Sequence, residues 1–308
     1  MTTAHPDTPV IPGAGATAID LRRNRASRRG LYERLFKALG MLSIAIGLGT
    51  LVWLLIVVVL KGFGWLDMQF LTSFDSRFPE RAGAKAAIVG TLYTISITIM
   101  VSVPLGVASA IYLEKYRRDS RFDRLIEVSV NNLSAVPSII YGLLALQVFA
   151  RWLLLGRSVI TGALTLALLV LPIVIVAARE AIRAVPDSLS QASYGLGATK
   201  WQTIRWHVLP VAMPGILTGS ILAASRAIGE SAPLIAIGAL TFVPFLPRNV
   251  LDVFTVLPIQ IFNWTSRPAE EFRAVAAAGI IVLMLVLLTL NSVAIFMRGR
   301  LRRNFRGL

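Results

Sequence analysis

The sequence holds no cysteine and two histidines, His5 and His207, in 308 residues. Without a thiol there is no thiolate nucleophile, no disulfide staple, no iron–sulfur cluster and no Cys-ligated zinc. Two histidines so far apart, in different contexts, argue against a His-based metal site. Charge is scarce as well. Only 15% of residues are Asp, Glu, Lys or Arg, against about 25% in soluble domains. In their place stand 56% hydrophobic residues and a mean hydropathy of +0.71. No soluble fold of this length buries so much apolar surface. Apolar runs of about 20 residues recur, which predicts an all-α protein that crosses a membrane several times. A soluble enzyme, a disulfide-stapled secreted module and a disordered chain are excluded.

The formal net charge of +15 raises the question of a polyanion partner. The positions answer it. Arg22, Arg23, Arg25, Arg28, Arg29, Arg34 and Lys37 precede the first apolar run, Lys115 to Arg124 follow the second, and Arg298 to Arg306 follow the last. Threaded through alternate spans, these clusters fall on one side, the positive-inside pattern. They orient the chain and attract anionic lipid head groups rather than nucleic acid.

Spans are expected near Leu39–Leu60, Ala86–Leu113, Val128–Ala150, Val159–Ala178, Pro210–Leu240 and Ala274–Met297. Six spans place both termini on the cytoplasmic side of a plasma or inner membrane. Residues 1–38 read as a basic, disordered tail, 39–297 as a six-helix transmembrane domain with a cytoplasmic loop at 179–208, and 298–308 as a basic C-tail. No segment outside the bilayer is long enough for a catalytic domain. The run Gly195 to Trp201 lacks the Gly-Lys-Ser/Thr end of a phosphate-binding loop, and no strand precedes it. The chain is therefore read as a non-enzyme without a cofactor of its own, and any ATP and Mg²⁺ chemistry is assigned to a separate subunit.

The polar residues inside apolar runs carry the functional reading. Arg226 and Glu230 lie in the fifth run, followed by Ser231. Ions at bilayer depth cost about 2.5–3.5 kcal/mol on insertion scales and must face protein or water. Their i, i+4 spacing predicts a pair on one helical face. That pair either locks helix packing or lines a path on which the guanidinium meets an anion. Gly229 and Pro233 should loosen the helix there. Gly215, Gly219, Ala223 and Ala227 repeat at four-residue spacing and form a small stripe for close helix approach, within the chain or at a complex centre. Thr91, Thr94, Thr98 and Ser102 share one face of the second run. They either bond back to the helix or wall a polar path, to which Ser138 could add. Asn131 and Asn132 open the third run and need partners.

The loop after the fourth run shows a helix cap at Asp187 or Ser188, apolar residues at helical spacing, a break at Gly195 and Gly197, and then Trp201 and Trp206. A surface docking element fits this pattern; a helix lying on lipid would need more basic residues.

The loop resembles the EAA loop of binding-protein-dependent ABC importer permeases. Ala192, Gly197, Leu209 and Pro210 match its pattern, while Gln191, Ser193 and His207 depart from it, so the family's Glu is missing. The chain is similar, more narrowly, to PstA-type permeases of phosphate-specific importers. Val136–Gly142, Tyr194–Gly197 with Lys200 and Trp201, Arg226–Leu234 and Leu257–Phe262 carry that likeness. The resemblance implies a type I (MetI-like) permease fold and half of a translocation path. It also implies a homologous PstC-type partner, two ATPase subunits and an extracytoplasmic phosphate-binding protein. On the path it implies Arg226 and Glu230, with Ser231 beside them. At the ATPase it implies Gln191, Ala192, Ser193, Tyr194, Gly195, Gly197, Lys200 and Trp201. A permease for another small anion remains open, and more remotely a secondary transporter or channel.

Overall fold

The computed structural model describes residues 14–117, 121–239 and 242–305. The chain forms two units, Met1–Val57 and Val58–Leu308. Helix α1 (Ala14–Gly62) supplies the first unit and leads into the second. It takes in residues 14–38 of the segment expected to be without structure, which is rich in the good helix formers Ala, Arg and Leu. The apolar side chains of its second half are exposed, as suits a helix whose solvent is lipid.

The second unit continues through a single turn at Phe63–Trp65 into α2 (Met68–Thr72), whose first turn is capped by Asp67 accepting the Phe70 N–H at 2.7 Å. Helix α3 (Lys85–Ile111) runs on as a wider π turn over Tyr112–Tyr116. Then come α4 (Arg121–Leu133) and α5 (Ser138–Ala145), the latter extended by a π turn over Leu146–Trp152. Helix α6 (Val159–Arg183) precedes α7 (Asp187–Gly195). Helix α8 (Lys200–Thr203) passes through Ile204–Val208 into α9 (Leu209–Ile228), followed by α10 (Ala232–Ile237), α11 (Leu257–Ser266) and α12 (Glu271–Phe305).

Helices α3, α6 and α9 make the core, and small residues set how closely they approach. A methyl group at Gly106 of α3 would stand 2.6 Å from Val174 Cγ1 of α6. Gly219 of α9 lies against Ala177 of α6, and a methyl at Gly215 would stand 2.7 Å from Ala181 Cβ. The small stripe of α9 therefore packs within the chain, and Ala223 and Ala227 continue it into the main apolar cluster. Phe254 fills the space over Gly162.

Among the described residues, Glu33–Trp65, Lys85–Tyr116, Val159–Arg183, Lys200–Ile228 and Glu271–Arg300 are long and apolar enough to cross a bilayer. Two of the six expected spans differ from the reading. The third is split: α4 ends at Leu133, and Ser138–Trp152 is a shorter apolar helix. Pro137 drives the residue before it out of the helical region, and Tyr141 donates its hydroxyl across the gap to the Leu133 carbonyl at 2.6 Å. The fifth begins earlier, at Lys200, and stops at Ile228 rather than running to Leu240. By contrast, Pro104, Pro172 and Pro214 sit inside continuous helices.

Candidate functional site

The site grows out of the break after α9. Gly229 ends the helix, and the Glu230 N–H turns back to the Ala227 carbonyl at 3.3 Å. Ser231 then starts α10, with Pro233 in its first turn, where a missing N–H costs nothing. Arg226 remains on the last turn of α9, but Glu230 lies beyond the helix. The expected i, i+4 pair is thus not formed: no ion pair joins Arg226 to Glu230 among the described residues. Arg226 is exposed and Glu230 half-buried. An unpaired guanidinium at the end of an apolar helix is costly in lipid and requires protein or water beside it.

Helix α10 packs on α5, which brings two separate sequence segments together. A methyl at Gly142 would stand 2.7 Å from Pro233 Cα and from Ala236 Cβ. The Val136–Gly142 and Arg226–Leu234 segments therefore form one broken-helix junction. Ser138 begins α5 at this junction, half-buried.

Glu230 borders a small cavity of about 10 Å³, walled by Thr91, Thr94, Leu166, Ile228 and Val256. The hydroxyl face of α3 is buried here and packs on α6. Thr91 donates to the Ala87 carbonyl at 2.7 Å and accepts the Leu257 N–H at 2.9 Å. Thr98 reaches the carbonyls of Thr94 at 2.9 Å and Ala163 at 3.1 Å. Ser102 is buried on the same face. Thr94 differs: it is fully buried and its hydroxyl has no partner among the described residues.

The loop at 179–208 builds a second surface. Gly197 takes φ +84°, a left-handed conformation that lets its N–H and that of Ala198 close on α7, at 2.9 Å to Tyr194 and 3.2 Å to Ser193. Thr199 and Gln202 cap α8 reciprocally. Ser193 and Thr203 share a buried hydroxyl contact of 2.9 Å that ties α7 to α8, so Ser193 faces inward. Gln191, Ala192, Gly195 and Lys200 are exposed, as are the large apolar Tyr194, Leu196, Trp201 and Trp206. Leu196 is 90% exposed. Lys200 also lies over the Tyr116 ring at 4.8 Å, joining the loop to the end of α3.

One cluster was not anticipated. Arg179, buried on α6, donates to Glu127 of α4 at 2.9 Å and to Glu114 after α3 at 3.5 Å. Glu127 also takes Arg117 at 2.6 Å, and Glu114 takes Arg183 at 3.1 Å. The hydrogen bond from Arg179 holds the Glu127 carboxyl below the usual carboxylate range, against a burial contribution in the opposite sense. The Arg179–Glu180–Arg183 run was visible in sequence; its partners, 52 to 69 residues away, were not. A further cluster lies near α2 and α11, where Asp75 accepts from Trp264 Nε1 at 2.8 Å and pairs with Arg267.

The sequence model for the binding-protein-dependent transport system inner membrane component matches residues 102–307. The phosphate transport system permease protein PstA 1 of Mycobacterium tuberculosis is 35% identical over 268 residues, 83% of this chain and 85% of that protein. The PstA protein of Yersinia pestis is 32% identical over 91% of this chain and 94% of its own. The probable ABC transporter permease YqgI of Bacillus subtilis is 30% identical over 86% and 95%. Among solved structures, a bacterial alginate ABC transporter in complex with a periplasmic protein superposes at TM-score 0.61 and 16% identity, over 84% of this chain and 94% of that one. The MetNI methionine ABC transporter, facing inward, does so at 0.54 and 20%, over 71% and 95%. These likenesses show the type I importer permease fold. The chain belongs to the family of binding-protein-dependent transport system inner membrane components.

Proposed function

We propose that the chain is a transmembrane subunit of an ATP-driven importer of inorganic phosphate and forms half of its translocation path. The observation that carries this reading is the exposed Arg226 guanidinium on the last turn of an apolar helix, beside the break at Gly229–Ser231. A planar guanidinium offers paired N–H donors to an oxyanion and keeps its charge at any working pH. The PstA relatives carry the word phosphate in their names, and their similarity covers this segment.

A homologous PstC-type permease forms the other half of the path, and an extracytoplasmic phosphate-binding protein delivers the solute. Two ATPase subunits hold ATP and Mg²⁺ and dock at the exposed apolar surface of the 179–208 loop. The loop is continuous with α9 through Lys200–Val208, so movement of the ATPase reaches the break at Gly229 along one helical rod. Both termini then lie in the cytoplasm, with the basic clusters near anionic head groups. The test is co-purification of partners from the native membrane, followed by ATPase assay with phosphate-loaded binding protein. Stimulation by phosphate supports the reading. Stimulation by a different anion alone replaces the solute, and loss of all ATPase partners ends it.

A further inference from the structure

Three threonines line one face of α3 next to the cavity, and two of them are committed. Thr91 and Thr98 give their hydroxyls to the helix carbonyls one turn back. Thr94 does not. Its hydroxyl is fully buried and has no partner among the described residues, and the residue borders the cavity. Glu230 borders the same cavity, half-buried and without an ion pair among the described residues. Two further buried polar groups lack partners among the described residues. They are the Thr255 hydroxyl, adjacent to the cavity residue Val256, and the Gln260 side-chain amide, one helical turn beyond it. Buried polar groups are almost always satisfied, and leaving one unmade carries its full desolvation cost. A buried hydroxyl left unmade calls for a hydrogen-bonding occupant in another state of the molecule, and Thr94 is the one of these groups whose residue borders the cavity.

Resting on the phosphate-import reading above, we propose that Thr94 and Glu230 form a contact point that admits oxyanions carrying a proton and rejects those without one. An ionised carboxylate can only accept hydrogen bonds. An anion held against it must therefore offer a hydroxyl. Hydrogen phosphate and arsenate each carry O–H groups, and sulfate has none. Thr94 both donates and accepts, so it completes the contact by donating to a bare oxygen of the same solute, with the Arg226 guanidinium balancing its charge. A volume of about 10 Å³ holds one water-sized group and no tetrahedral oxyanion. The solute meets these groups when the Gly229–Ser231 break moves α10 away from α3. The selection here is additional to whatever the binding protein exerts.

The test uses the purified permease–ATPase complex without the binding protein, whose own selectivity then does not enter. Binding of radiolabelled inorganic phosphate is competed with arsenate or sulfate. Arsenate displaces phosphate, whereas sulfate is weaker by at least about a hundredfold, as expected where a site is built to bond a hydroxyl. In Glu230→Gln, the amide donates as well as accepts, and sulfate comes within about tenfold of phosphate. In the near-isosteric Thr94→Val, phosphate binding falls about tenfold while the order of anions is kept. Co-elution with the ATPase verifies folding of both variants. Equal competition by sulfate in the unaltered complex overturns the proposal, as does an unchanged preference in Glu230→Gln, or no displaceable phosphate binding in a complex that imports phosphate. A complex that imports another anion and not phosphate overturns the import reading as well.

Discussion

Gly142 lies directly against Pro233, and a methyl group on it would stand 2.7 Å from the proline Cα and from Ala236 Cβ. Backbone meets backbone there, so nothing flexible can yield. Gly142→Leu should separate α5 from α10, with overpacking of about 1–3 kcal/mol. Transport should be lost while the coupling loop still binds the ATPase. Uptake and co-purification measured together check this, and normal uptake would mean that the junction is not part of the path.

Arg226 is exposed on α9 rather than neutralised by Glu230. Arg226→Ala should abolish phosphate uptake with the complex still assembled, since the side chain is exposed and makes no hydrogen bond or ion pair among the described residues. Arg226→Lys keeps the charge and loses the planar fork, and should retain uptake reduced by about tenfold or more, equal to about 1.4 kcal/mol. Transport assays in vesicles decide. Equal rates for the two variants would make the charge irrelevant.

The long apolar runs made α1, α3, α6 and α12 readable, because hydropathy reports how lipid sees a helix. It does not report where the backbone stops. Val136–Pro137 and Gly229–Pro233 sit inside apolar runs, and both became breaks, whereas Pro104, Pro172 and Pro214 did not break their helices. The difference lies in the surroundings. At 229–231 a glycine, an acid and a serine follow one another ahead of the proline, and α5 offers a surface for the short helix beyond. Arg226 and Glu230 were singled out by their charge inside an apolar run, by their i, i+4 spacing and by resemblance, and their separation required the backbone. Thr94 could not be told from Thr91 and Thr98 by spacing, because its distinction is a hydrogen bond that it does not make.

The loop turn depends on Gly197 at φ +84°. Nothing crowds its Cα, so a substitution there acts through backbone strain alone. Gly197→Val should strain the turn by about 1–2 kcal/mol and tilt Leu196 and Trp201 away from the ATPase. Hydrolysis should persist, uncoupled from uptake, or the ATPase should be lost on purification. Gly197→Asn, which tolerates the left-handed region better, should retain most coupling. If Val and Asn behave alike, the turn does not set the docking surface.

Glu127 ties α4 to α6 through Arg179 and has its pKa lowered from 4.5 in the folded chain. A carboxyl depressed by folding contributes stability at pH values above its unfolded value, and that contribution disappears as pH falls through the folded one. Melting temperatures of the purified complex should therefore exceed those of Glu127→Gln at neutral pH. The gap should close on acidification from about pH 5 downward. A gap that stays constant or widens on acidification would show that the Arg179 contact contributes nothing through charge.

Asp75 is buried and serves two donors at once, Trp264 Nε1 at 2.8 Å and the Arg267 guanidinium. Trp264 is fully buried, and Arg267 also spreads over the Phe272 ring at 4.4 Å. The segment before α3 is thereby fastened to α11 across 189 residues of chain. Removing the carboxylate leaves a buried indole N–H without its acceptor and the guanidinium with the Ser76 carbonyl alone, so Asp75→Ala should cost about 3–5 kcal/mol. Arg267→Ala should cost less, because Asp75 keeps the indole. The two losses should not add: the double variant should be more stable than their sum by about 0.5–3 kcal/mol, the coupling of groups in direct contact. Thermal unfolding of the three variants measures this coupling. Strict additivity would show that the carboxylate and the guanidinium act independently, and the fastening would then rest on Trp264 and its apolar neighbours alone.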